Sequence, residues 1–323
     1  MDNNVDVKLN DQVQGLINTV DQFWDGEVSV QFIGNLQAGF VRHDQAQAVQ
    51  DGKKLMIQVS DLSAPNYTAS HELIHVLMTL RGFPQVFFPL TTGDEKLDEQ
   101  LQMLGTELFD IVSHFVVVSE QRKHDLINDE IESMYLEGIY KTIKPEPKEG
   151  DDQQTLRSLT LLDAMVFYGD KISAYKEKLS QDFPVSYQAA EKLYAVITAK
   201  PTNSPFALRR NVVKLFKAFD EQLQAWGLPQ LHNTEFTTVS NVLSERQLNL
   251  SVRQVFEIFH SELKIANTDN RAYVGFNKND DQNSFVIEEP DSKTDSAEFF
   301  KETYDKTVKE LLEELKMPYI IRE

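Results

Sequence analysis

The chain has no cysteine, which removes disulfides, thiolate zinc sites and cysteine nucleophiles at once and leaves any transition metal to His, Asp and Glu. Basic residues are in deficit, 32 Lys and Arg against 51 Asp and Glu, for a net charge of −19. That charge repels phosphate backbones and speaks against nucleic acid as a partner, while a neutral or basic polypeptide is accepted more readily. There is no phosphate loop, no GxGxxG, no GxSxG and no zinc-finger spacing. No apolar run approaches the roughly 18 residues needed to span a bilayer, so no membrane association is expected. Met1–Asn10 is polar and acidic rather than basic and then apolar, which reads against a secretory leader and makes cytoplasmic residence the expectation. What remains is ordinary for a folded protein: 41% apolar and 26% charged residues over 323 positions, enough for two domains or one two-lobed one.

Histidine is also scarce, seven in all, yet two of them stand in the run His71-Glu72-Leu73-Ile74-His75. Residues four apart share a helix face, so both imidazoles can reach one tetrahedral zinc ion, with Glu72 placed against its water as general base. The flanks predict the helix. Ser63 and Pro65 suit its start, Gly82 and Pro84 its stop, and Leu73, Ile74, Leu77, Met78 and Leu80 make it heavily apolar and buried. Upstream, Val13, Leu16, Ile17, Val20 and Phe23 predict an opening helix over about 9–24. Strands are predicted around Val28–Phe32, around Phe40 and Val41, and over Leu55–Val59, giving the order α-β-β-β-α. If the last of these is an edge strand, it could hold an extended peptide by main-chain hydrogen bonds.

Two further helices are predicted over 97–117 and 119–140, followed by a linker-like stretch at 144–152 taken as the lobe boundary. The expected domains are therefore 1–145, which holds the metal, and 150–323, mainly helical. Helices are predicted in the latter near 156–179, 185–199, 205–226, where Ser204 and Pro205 suit the start, 250–264 and 296–316, with a small hairpin near 272–287.

A third metal ligand is expected from the helix after the motif, where Glu107, Asp110 and His114 share one face. His114 is the preferred ligand because imidazole suits zinc and histidine is rare here; Asp110 and Glu107 are the alternatives, or groups that orient the ligating rings. The motif followed by such a helix resembles zincin-like proteins that carry Asn-x-x-Glu-His, with Asp110, Ser113 and His114 in the matching places and Ser113 departing from the pattern. The broader likeness is to gluzincins and to small repressor-cleaving metalloproteases, in which Glu107 would be the completing glutamate. The metzincin extension is absent, since Met78 and Arg81 occupy its glycine and histidine places.

This resemblance implies an α+β fold with a zincin-like N-terminal lobe, built from a helix, a small mixed sheet and the HExxH helix, and a zinc-dependent metallopeptidase acting on a peptide or protein substrate. Two other readings stand beside it: a non-catalytic metal-binding or interaction protein on the same scaffold, and a regulatory protease with a single protein target. Tyr135, Tyr140, Tyr168, His124 and His232 are unranked candidates for stabilising the oxyanion. His43 and His260 have no spacing partner and are read as surface or internally satisfied histidines.

Overall fold

Residues 7–288 and 296–322 are described by the structure, a computed structural model. Most of the polar stretch Met1–Asn10 lies outside the described residues. The fold is mixed α+β, and the chain separates into two compact units, Met1–Gly82 with Ser113–Tyr194 and Phe83–Val112 with Ala195–Glu323. The boundary expected at 144–152 therefore falls inside the first unit. That stretch is tied down rather than free: the Glu146 amide donates to Asp182 O at 2.8 Å, its carboxylate accepts from the Val185 and Ser186 amides, and Arg157 grips Asp151.

The first unit opens with α1 (Asp11–Phe23), capped by the Asn10 side chain, which accepts from the Val13 amide. Three strands follow: β1 (Glu27–Leu36), β2 (Ala46–Asp51) and β3 (Lys54–Asp61). They form one sheet in the order β1-β3-β2, with β3 parallel to β1 and antiparallel to β2. The strand expected at Phe40 and Val41 is instead a turn leading into a short 3-10 helix, His43–Gln45, and the third strand is β2. Val41 is buried by a helix rather than a ladder. Its amide donates to Met134 O at 3.2 Å in α4 (Asp129–Thr142), and a Cβ added to Gly138 would lie 2.2 Å from Val41 O. β2 is a mostly exposed outer strand and has little apolar alternation to give it away. β3 is the central strand and not an edge, so both of its ladders are taken by β1 and β2 and the peptide-holding role considered for an edge strand there does not apply to it.

Buried Leu55, Ile57 and Val59 alternate along β3, whose sheet packs against α1 and α2 (Pro65–Leu80). Pro65 opens α2 as expected. Ser63 does not cap it, because its hydroxyl accepts from the Gly39 amide. The break expected near residue 118 is absent, and α3 runs unbroken over Glu95–Lys123, carrying buried Val117, Val118 and Gln121 through that point. It ends where Asp125 turns to φ 54° and the Leu126 amide reaches back to Gln121 O; Asn128 then caps α4. By length and composition α3 is apolar enough to cross a bilayer, contrary to expectation, but half of that window is buried inside the protein. α5 (Gln154–Tyr168), α6 (Lys176–Asp182) and α7 (Pro184–Thr198) complete this part of the chain. The single helix expected over 156–179 is broken at Gly169, whose φ of 53° an L side chain tolerates poorly.

The second unit has more sheet than expected. Two short strands, β4 (Val86–Phe87) and β5 (Leu90–Thr91), precede α3; α8 (Pro205–Ala225) is capped by Ser204 as predicted, and α9 (Asn233–Phe236), β6 (Thr238–Val239), β7 (Asn241–Leu243), α10 (Glu245–Leu248) and α11 (Val252–Val255) follow. The helix expected over 250–264 is mostly a strand, β8 (Phe256–Ile265). Val252 and Val255 do lie in a helix, α11, while a register shift between His260 and Lys264 interrupts the alternation of β8, so that Phe256, Phe259 and Leu263 continue the helical spacing by accident. The predicted hairpin is present as β9 (Arg271–Asn277) and β10 (Asn283–Glu288), within a four-stranded sheet of order β10-β9-β8-β5. The helix expected over 296–316 is split into α12 (Ser296–Asp305) and α13 (Val308–Glu314) by the Thr307 capping box, and β11 (Tyr319–Ile321) pairs with β7.

Candidate metal centre

His71, Glu72 and His75 all lie on α2, one helical turn spanning the two histidines. The His71 and His75 rings have centroids 4.9 Å apart and are inclined by 59°. α2 is held in rotation by buried Gln121 of α3, which donates to Tyr67 O at 3.0 Å and to Ser70 Oγ at 2.9 Å. Seven residues before Gln121, two turns back along α3, His114 enters the same place. Its ring lies 4.9 Å from that of His71 and 5.3 Å from that of His75, at 61° and 76°. His71 and His114 are buried, His75 and Glu72 half-buried.

Asp163 on α5 organises the surroundings. Its Oδ1 is 2.6 Å from His114 Nδ1, its Oδ2 is 3.0 Å from His43 Nδ1, and the Tyr135 hydroxyl donates to Oδ2 at 2.7 Å. With the His114 proton on Nδ1 toward that carboxylate, Nε2 keeps its lone pair, as a metal ligand requires. The Tyr135 ring stacks flat on Phe167 at 3.8 Å, which fixes its hydroxyl. His43 Nε2 meets the Tyr67 hydroxyl at 3.2 Å.

The electrostatics hold the His71, His75 and His114 imidazoles neutral. Burial, together with the other imidazoles, pushes His71 and His75 well below the usual histidine range, and burial lowers His114 despite the opposing pull of Asp163. Burial would raise Asp163, but the adjacent His43 and His114 outweigh it and keep its carboxyl well below normal. Burial raises Glu72 to about 7, with His43 opposing. A carboxylate so placed exchanges protons near neutrality.

Of the residues the sequence singled out, the structure gathers His71, His75, His114 and Glu72. Among the described residues, the group whose ligand atoms all lie within 4.8 Å of one another is His43, His71 and His114; His75 does not belong to it, and neither does Asp110, half-buried, nor Glu107, exposed. Ser113 is buried next to His114. Tyr140 and Tyr168 donate elsewhere, to Asp182 Oδ2 and Glu132 O, and Tyr135 uses its hydroxyl on Asp163. His124 lies just past the end of α3, and His232 sits in a left-handed turn of the second unit. His260 is exposed, as expected.

His43 is not an isolated surface residue. It is internally satisfied, as one of the two expected alternatives had it, but by partners within the centre itself. No spacing rule reaches it, because the 3-10 turn that carries it is remote in sequence. Asp163 was also missed, although a lone acid in the buried stretch Leu159–Tyr168 is a signal that something must pair with it.

The donor set suits a divalent transition metal. It consists of clustered imidazoles, one of which, His71, has a buried Nδ1 with no hydrogen-bond partner. The ring planes bear on which of these imidazoles could share an ion. His43 stacks on His71 at 4.3 Å with only 14° between planes. A ring nitrogen binds in its own plane, and planes so nearly parallel meet only far beyond bonding distance. The steep mutual inclinations of His71, His75 and His114 carry no such conflict. In comparisons with protein-family models, curated proteins and solved structures, none matches the chain.

Proposed function

We propose that the first unit is a zincin-like, zinc-dependent peptidase in which His71, His75 and His114 hold the ion and Glu72 is the general base. The observation that carries this reading is the meeting of three mutually inclined imidazoles from two helices, with a carboxylate of near-neutral pKa on the turn between two of them. Zinc bound there would polarise a carbonyl and make its water acidic enough to attack near pH 7. Glu72 takes a proton from the attacking water and returns it to the leaving nitrogen, which a group titrating near 7 does in either direction. Asp163 holds the His114 ring in the tautomer that presents Nε2. His43 spans Asp163 and Tyr67 and packs on His71, and so acts on ring position rather than as a ligand. Because β3 is covered on both sides, an extended substrate that adds to this sheet would pair with β1 or β2.

The test is elemental analysis with peptide-library cleavage. One zinc per chain is expected, lost in His114→Ala and retained in Asp110→Ala and Glu107→Ala, and cleavage should vanish in Glu72→Gln with zinc retained. Zinc that survives His114→Ala would refute the ligand set. A zinc-loaded chain that cleaves nothing, while partner capture is indifferent to Glu72→Gln, would move the reading to an interaction protein.

A further inference from the structure

In the second unit a cavity of about 640 Å3 is lined by Arg209, Arg210, Arg246 and Arg322. These are four of only ten arginines in a chain with a net charge of −19, in which acidic partners are plentiful. Asp280 is the one carboxylate on the cavity wall among the described residues, and it pairs with Arg209 Nη1. Four guanidinium groups less that carboxylate leave three positive charges. Among the described residues, no ion pair engages Arg210, Arg246 or Arg322.

Arg209 is the telling group. It is 5% exposed, its Nε donates to Ser240 O at 3.1 Å, and its Nη2 is buried with no acceptor at all. A buried charged donor left unsatisfied is costly, and an anion held in the cavity that Arg209 lines offsets part of that cost through its charge. Arg210 is anchored by Nη2 to Pro201 O at 2.8 Å and by Nε to Asn211 Oδ1, which fixes its position. Arg322 lies over the Phe206 ring at 4.6 Å. Val242 and Leu250 add apolar wall.

We propose that this cavity binds a small organic polyanion carrying two or three negative charges, of the phosphate-ester or polycarboxylate class. Arg209 supplies a fixed positive charge at the wall, Arg210, Arg246 and Arg322 bind the anionic oxygens, and Phe206, Val242 and Leu250 pack the carbon portion. The volume matches small-molecule sites in general. The site is independent of the metal centre and of the activity proposed for it.

The experiment is calorimetric titration of the full chain with inorganic pyrophosphate, citrate and uncharged glycerol. One pyrophosphate or citrate per chain is expected, with no binding of glycerol and weakening by added salt. The double substitution Arg246→Ala with Arg322→Ala, both exposed side chains, should weaken binding by about tenfold or more and leave the thermal midpoint of the unliganded chain unchanged. Tighter binding of pyrophosphate assigns the phosphate class, and tighter binding of citrate the carboxylate class. The proposal is overturned if neither anion binds, or if binding is indifferent to the double substitution, as chelation of a metal elsewhere would be.

Discussion

Replacing Glu72 by glutamine separates a carboxylate kept for proton transfer from one kept for stability. In the metal-free chain burial raises Glu72 from an ordinary 4.5 to about 7. Between those values the folded state holds a proton that the unfolded state has released, so stability falls as pH rises from 4.5 through 7 and levels off above. A tenfold difference in proton affinity between the folded and unfolded states is worth about 1.4 kcal/mol, so the ionised side chain costs about 3 kcal/mol at pH 8, about 2 at pH 6 and under about 1 at pH 5. Glutamine has nearly the same shape and no charge to bury. Glu72→Gln should therefore stabilise the metal-free first unit by about 3 kcal/mol at pH 8, with the gain disappearing toward pH 4.5. Urea unfolding followed by tryptophan fluorescence measures this, because the chain has two tryptophans and a Trp226→Phe background leaves Trp24, which is anchored to Lys53 O, to report on the first unit. A variant no more stable than its parent at pH 8, or a gain independent of pH, would refute the reasoning.

Asp163→Asn keeps the shape but removes the charge that orients His114, and should weaken zinc binding by about 10- to 100-fold in competition with a chromophoric chelator; unchanged affinity would remove Asp163 from the site. His71, His75 and His114 are all held below the usual 6.5, so their contribution is complete above that pH and is lost as pH falls below it. In the metal-free Glu72→Gln chain, stability should accordingly decline from pH 7 to pH 5, and a rise over that interval would contradict neutral burial of the rings. Gly138→Ala would push a methyl group to 2.2 Å from Val41 O, displacing the turn that carries His43. A loss of about 1–3 kcal/mol, seen as a lower urea midpoint without a change in m, is expected, and an unchanged midpoint would show that α4 yields there.

Local rules in the sequence were enough for several elements. HExxH spacing put His71 and His75 on one face of α2, Pro65 opened that helix, and Ser204 capped α8, because i to i+4 geometry and end capping are decided within a turn of chain. His114 was also legible, as a rare imidazole on the face of the following helix that Glu107 and Asp110 share. The same rules failed where long-range packing chose the conformation. Val41 is buried by α4 instead of a strand partner, Gln121 and its buried neighbours carry α3 past the expected break, and a slipped register disguises β8 as a helix. The position of β3 at the centre of its sheet is likewise a matter of which strands pair across dozens of residues, which alternation cannot encode.

By itself, then, the sequence determined what kinds of atoms are present and the short helical pitch that aligns two imidazoles with a carboxylate. Tertiary structure alone decided that a turn at His43, a helix at His114 and an acid at Asp163, 120 residues from the first of them, converge on that pair (163 − 43 = 120). The physical reason is burial. A lone carboxylate or imidazole withdrawn from water must find a partner, and which partner it finds is fixed by how the helices pack, not by the residues beside it in the chain.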